Sequence, residues 1–139
     1  MGKNEPNFTP AKNWQRLKFS VDGTPVPQGS MRIYNGHIVH NKAQELAAWR
    51  AQVAVAAKLS GCKPLDGPII ITMNFRVARP KTVKRDHPTV APDLDKYIRN
   101  VNDALTGICF YDDAQVVEIH SNKRYSDTPG VTIVIEQMF

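Results

Sequence analysis

Pro92 to Glu118 reads PDLDKYIRNVNDALTGICFYDDAQVVE, and its course decides how the rest of the chain is arranged. Leu94, Tyr97, Ile98, Val101, Ala104 and Leu105 recur at helical spacing, while Asp95, Lys96, Arg99, Asn102 and Asp103 lie largely on the opposite side. That pattern predicts an amphipathic helix from Leu94 to about Thr106. Gly107 is a natural stop, because the residue just past a helix often adopts a left-handed conformation. The stretch then passes two further acids and enters the apolar run of a strand. Acids therefore stand at both ends of one helix, Asp93 with Asp95 and Asp112 with Asp113, in a chain whose net charge is +5.

Working outward, Ile69, Ile71, Met73, Phe75 and Val77 alternate in PIIITMNFRVA, and Ile70 and Thr72 make the other face partly apolar, as expected of a central strand. Before it, Asn41 with Gln44 three residues later forms a capping-box pattern, and Leu46, Trp49, Val53 and Ala56 follow at helical spacing up to Gly61. MRIY and HIVH flank Asn35-Gly36, a dipeptide suited to a two-residue hairpin turn. Leu17, Phe19 and Val21 alternate in RLKFSVDG, and the bend TPVPQGS follows. Downstream, QVVEIHSNKRY and VTIVIEQMF read as strands joined by SDTPG turn chemistry. The order β-ββ-α-β-α-β-β predicts a single α+β domain, two main helices on a mixed or mostly antiparallel sheet.

With 139 residues, 42% hydrophobic and 22% charged, the chain has the size and composition of one soluble domain. No apolar run is long enough to cross a bilayer. The N-terminal MGKNEPNFTPAKNWQ lacks the apolar core of a signal peptide, so an arm over 1–15 is expected ahead of a domain over 16–139, in the cytoplasm. Cys62 and Cys109 have no metal-site spacing and read as two reduced thiols. The four histidines form no metal-binding pattern.

The positive charge is concentrated. Arg76, Arg79, Lys81, Lys84, Arg85 and His87 fall within FRVARPKTVKRDHP, immediately before the first acids. A charge run is ordinarily a solvated loop, but basic residues beside a site also attract polyanions, nucleic acid foremost.

Taken singly, each acid has a structural explanation. Asp93 suits an N-cap, Asp95 the positive end of the helix dipole, and Asp112 and Asp113 a turn. Their meeting in space would change that. The helix is about 20 Å long, and Gly107 to Asp113 spans about 20 Å if extended, so the second pair reaches the first only if GICFYDD runs back along the helix. Converged carboxylates repel one another unless a cation neutralises them, and oxygen-only ligands suit Mg²⁺ or Mn²⁺. Such an ion supports phosphodiester hydrolysis.

The same stretch resembles the signature of the RusA-type Holliday junction resolvases, in Asp93-Leu94-Asp95, Asp103-Ala104-Leu105, Gly107 and the run from Asp112 to Val117. The similarity extends from about Leu17 to Glu136 and includes VDGTPVPQGSMR. It implies a homodimeric endonuclease, dependent on Mg²⁺ with Mn²⁺ as a substitute, that binds four-way DNA junctions and makes paired cuts, in a bacterial cell or a phage-infected host. No membrane and no small-molecule cofactor are implied. Carried over by position, Asp93, Asp95 and Asp113 are the catalytic metal ligands, with Asp112 supporting them. The family commonly has asparagine after the Asp-x-Asp motif and a functional lysine four residues after its second aspartate. Lys96 and Arg99 stand in those places and complete the catalytic set. Arg76, Arg79, Lys81, Lys84, Arg85, Lys123 and Arg124 would contact backbone phosphates, with Arg32 and Tyr34 as weaker candidates. Two rivals stay open: a junction- or DNA-binding protein of this fold without catalysis, and a divalent-metal phosphodiesterase acting on another substrate.

Overall fold

The structure is a computed structural model that describes residues 15–29, 31–34, 37–40 and 43–138, with two short strands in backbone only. In chain order the elements are β1 (Gln15–Asp22), β2 (Met31–Tyr34), β3 (His37–His40), α1 (Ala43–Leu59), β4 (Ile69–Val77), α2 (Leu94–Leu105), a 3-10 turn (Asp113–Gln115), β5 (Val116–Tyr125) and β6 (Gly130–Gln137). That is the order the sequence predicts. The Asn35-Gly36 turn, the Asn41 cap, the side chains of Arg32 and Tyr34, and all of the arm but Gln15 lie outside the described residues.

Four strands form one mixed sheet in the order β1-β6-β4-β5. β6 pairs antiparallel with both β1 and β4, whereas β4 and β5 run parallel. A parallel pair needs a crossover, and α2 supplies it. Its direction is therefore opposite to that of β4 and β5, which later fixes where the acids lie. The hairpin β2–β3 makes a separate two-stranded sheet.

Alternation decides which face is buried. Leu17, Phe19 and Val21 from β1, Ile69 to Phe75 in alternate positions from β4, and Val131, Ile133 and Ile135 from β6 enter one core with Trp49, Val53 and Ala57 of α1 and Tyr97, Val101, Ala104 and Leu105 of α2. Phe75 and Tyr97 stack across the layers with ring centroids 5.2 Å apart. The opposite sheet face carries the buried Ile70 and Val134 and is otherwise polar: Ser20 bonds Thr132, Asn122 bonds Asn74, and Arg76 bonds Thr132.

The expectation for the cysteines is corrected. Cys62 and Cys109 are joined in a disulfide that ties the chain just after α1 to the turn after α2. The two are 47 residues apart, so only the packing of the helix ends brings them together. Among the described residues no helix is long and apolar enough to cross a membrane.

Candidate active site

The first acids stand on a braced turn. The Ala91–Pro92 peptide is cis, and Lys123 of β5 donates from Nζ to the carbonyl oxygens of Val90 (2.8 Å) and Pro92 (2.7 Å). Asp93 holds the N-cap position of α2 with extended backbone, yet its side chain makes no capping bond. Asp95 lies in the first turn, where the helix dipole favours a carboxylate. Both are exposed. The ion pairs among the described residues, Arg16–Glu136, Arg50–Asp103, Arg76–Asp22 and His120–Glu118, include neither. Asp93 thus has a cap's position without a cap's bond.

The second pair is held elsewhere. The chain does not run back along α2 but closes at once: Cys109 N–H donates to Leu105 O and Gly107 N–H to Phe110 O, with Phe110 fully buried. Gln115 then fastens the acidic turn. Its Oε1 accepts from the N–H groups of Tyr111 and Asp112, and its Nε2 donates to the carbonyls of Leu65 and Gly67. Asp112 accepts from the Ala114 N–H at 2.9 Å, so it has a local role, while Asp113 opens the 3-10 turn and is exposed.

Strand register locates the two pairs. Val116, just past Asp113, lies opposite Ile69, whereas Lys123, which grips Pro92, lies opposite Phe75. The pairs are therefore at opposite ends of a 12-residue helix, a separation of about 18 Å along its axis. Among the described residues no three Asp, Glu, His or Cys side chains come close enough together to hold a metal ion. Asp93, Asp95, Asp112 and Asp113 of one chain therefore do not converge on a complete Mg²⁺ site.

A buried polar contact joins α1, α2 and the 24–29 loop. Asn100, fully buried, donates from Nδ2 to Val26 O (2.9 Å) and accepts from Arg50 Nε (2.7 Å). Gln28 N–H donates to Lys96 O at 3.0 Å. The loop is thereby laid across the first turns of α2. Gly29, at φ +88°, lies where an added Cβ would come within 3.4 Å of Arg99 Nη1, a conformation that favours glycine. Lys96 is half-buried and Arg99 exposed, both beside the first acid pair in sequence.

The basic candidates divide. Arg79 lies over the Tyr125 ring, 4.7 Å from its centroid, and donates to Arg85 O; Arg85 donates to the Tyr125 hydroxyl. Tyr125 thus organises the loop that carries the exposed Lys81, Lys84 and His87. Arg76 instead bonds Asp22, Thr128 O and Thr132, with Arg124 paired to it in register on the same sheet face, away from the helices. Lys123 grips the acidic turn. Sequence reasoning missed the residues that position the site, although the capping-box spacing of Gln115 from Asp112 and the polar Asn100 inside an apolar stripe are signals that point to two of them. Tyr125 carried no signal.

Two comparisons bear on identity. A relative, the Uncharacterized protein YqaN of Bacillus subtilis, is 31% identical, and the match covers 88% of this chain and 96% of the relative. Residues 22–136, which contain both acid pairs, the braced turn and the basic loop, match the family described as Endodeoxyribonuclease RusA. The chain belongs to the RusA endodeoxyribonuclease family.

Proposed function

We propose that the protein is a homodimeric, Mg²⁺-dependent endonuclease that resolves four-way DNA junctions by paired phosphodiester hydrolysis, in the cytoplasm of a bacterial cell or phage-infected host. The observation that carries this reading is the family match across both acid pairs, in a structure that leaves Asp93 without a capping bond beside a basic loop. Asp93, Asp95 and Asp113 are the proposed ligands, with Asp112 behind them. They offer the oxygen-only set that suits Mg²⁺ or Mn²⁺.

A homodimer follows from the separation of the pairs. β5 is an edge strand, and Val117 and Ile119 on it are exposed apolar residues. If two copies meet about a two-fold axis with their β5 edges antiparallel, the start of one β5 lies beside the end of the other. Asp112 and Asp113 of one chain then approach the turn that carries Asp93 and Asp95 of its partner. Two equivalent sites match the approximate two-fold symmetry of a four-way junction. Lys96 and Arg99, beside the first acid pair in sequence, are the proposed phosphate contacts. Arg79, Lys81, Lys84 and Arg85 would follow the DNA backbone and make binding strongly salt-dependent.

The same separation favours one alternative, a junction-binding protein without catalysis. A labelled four-way junction and a matching linear duplex distinguish the two, with and without Mg²⁺, for wild type and Asp95→Asn. Paired nicks confined to the junction, dependent on Mg²⁺ and lost in the variant, are expected. Selective binding with no cut in Mg²⁺ or Mn²⁺ would establish the binding protein.

A further inference from the structure

We infer that Tyr125, Arg85 and Arg79 form an anchor for one particular phosphodiester of the DNA backbone at the end of β5, an inference that rests on the proposed function. Tyr125 is half-buried and both arginines are exposed. Arg79 lies over the tyrosine ring, 4.7 Å from its centroid, and donates from Nη1 to Arg85 O at 2.6 Å. Arg85 donates from Nε to the Tyr125 hydroxyl at 3.0 Å. One ring therefore fixes two guanidinium groups. Each spends a single N–H in these hydrogen bonds, and a guanidinium has five.

The donors that remain select the occupant. Neither arginine enters an ion pair among the described residues, and neither does Asp86, the acid next to Arg85. Two like charges held at one ring repel each other, and an anion placed between them relieves that repulsion. The Tyr125 hydroxyl accepts from Arg85, and its own proton has no acceptor among the described residues. The anchor thus presents donors only, two of them in planar forks. A compact anion with several oxygens satisfies such a set, and a backbone phosphate is that group in DNA. A base edge, which mixes donors with acceptors, does not.

The place of the anchor gives it a role beyond attraction. Lys123 and Tyr125 are two residues apart on β5, opposite Phe75 and Val77, and project to the same side. Lys123 holds the turn that carries Asp93, its ammonium being engaged by the Val90 and Pro92 carbonyls. Tyr125 stands about 7 Å further along the strand. A cleft of about 240 Å³ spans the two places, lined by Arg85 and Tyr125 as well as by Ala91 and Pro92. One strand therefore sets the spacing between the anchor and the acidic turn. Backbone held at Tyr125 presents a nearby phosphodiester to Asp93 and Asp95, whereas the exposed Lys81 and Lys84, with no ion pair among the described residues, add charge without register.

The test replaces single phosphates around the exchange point of a four-way junction with neutral methylphosphonates, and measures binding without Mg²⁺ and cutting with it. For wild type, one position and its two-fold equivalent should each lose binding on the order of tenfold, as expected for a hydrogen-bonded charge. Tyr125→Phe keeps the ring beneath Arg79 and removes the hydroxyl; Arg85→Lys keeps the charge, removes the fork, and keeps the test open if the first variant fails to fold. Each variant should bind the unmodified junction on the order of tenfold more weakly. The methylphosphonate at the sensitive position should then cost it less than about twofold more, because the partner of that phosphate is already gone. A tyrosine that only braced the loop would weaken every modified junction alike. Additive losses at all positions, or a loss spread evenly along the backbone, overturn the anchor while junction-selective cutting leaves the underlying reading in place. A wild type that binds a matching duplex as well as the junction overturns that reading, and the same pairing of variant and methylphosphonate on the duplex still decides the anchor.

Discussion

Asn100 and Tyr97 show how single side chains of α2 shape the site from inside. Asn100 interrupts the apolar stripe, and that interruption could be read in the sequence; its partners, Val26 and Arg50, could not, because they lie 74 and 50 residues away. Asn100→Leu would leave the Val26 carbonyl without its donor and Arg50 with only a 3.4 Å contact to Asp103. A buried group left unsatisfied costs about 1–3 kcal/mol, so urea unfolding should show at least that loss. Tyr97 lies one turn back. Burial raises its phenol above the ordinary 10.0, so the fold favours the protonated form. This contribution is fully present below the ordinary value and is lost as pH rises through the raised one. Tyr97→Phe should therefore flatten the alkaline fall in stability above about pH 10, while neutral-pH stability changes little. An unaltered alkaline limb would show that the phenol is not the group responsible.

Helices and strands were legible because their periodicities are local, and the contacts between elements were not. The stripe of α2, its glycine stop and the central character of β4 all follow from spacing. The disulfide and the Lys123 brace depend on which helix end meets which turn. Lys123 illustrates the difference, since its charge suggested a phosphate contact but its Nζ grips Val90 and Pro92. Lys123→Met should slow cleavage by loosening the Asp93 turn while leaving the salt dependence of junction binding unchanged. Removing Lys81 and Lys84 should reduce the slope of log K against log salt by roughly 1 for each phosphate that is no longer neutralised. A reduced slope for Lys123→Met would return that lysine to the DNA surface. The disulfide closes a long loop, worth about 4 kcal/mol on the chain-entropy estimate. Oxidised protein unfolded without reductant should show no free thiol, and reduction should lower its thermal midpoint. In a reducing compartment this contribution is absent.

At the scale of the whole molecule, the decisive question is whether one chain or two build a site. Chain length alone allowed Asp112 and Asp113 to return to Asp93. The turn at Gly107 and the parallel β4–α2–β5 crossover hold them apart instead, and sequence spacing could not choose between those courses. If the site is shared between subunits, Asp95→Asn and Asp113→Asn should each be inactive as homodimers. Mixed and allowed to exchange subunits, they form a heterodimer in which one site carries both substitutions and the other carries neither. That heterodimer should nick a junction in one strand without making the paired cut. Sites confined to one chain would leave every site in the mixture with a substitution, and no nicking would return. A denaturing gel of labelled junction strands reads the difference, with a double mutant mixed with wild type as the control for exchange: in a shared-site dimer its heterodimer has one damaged acid set in each site and should be silent.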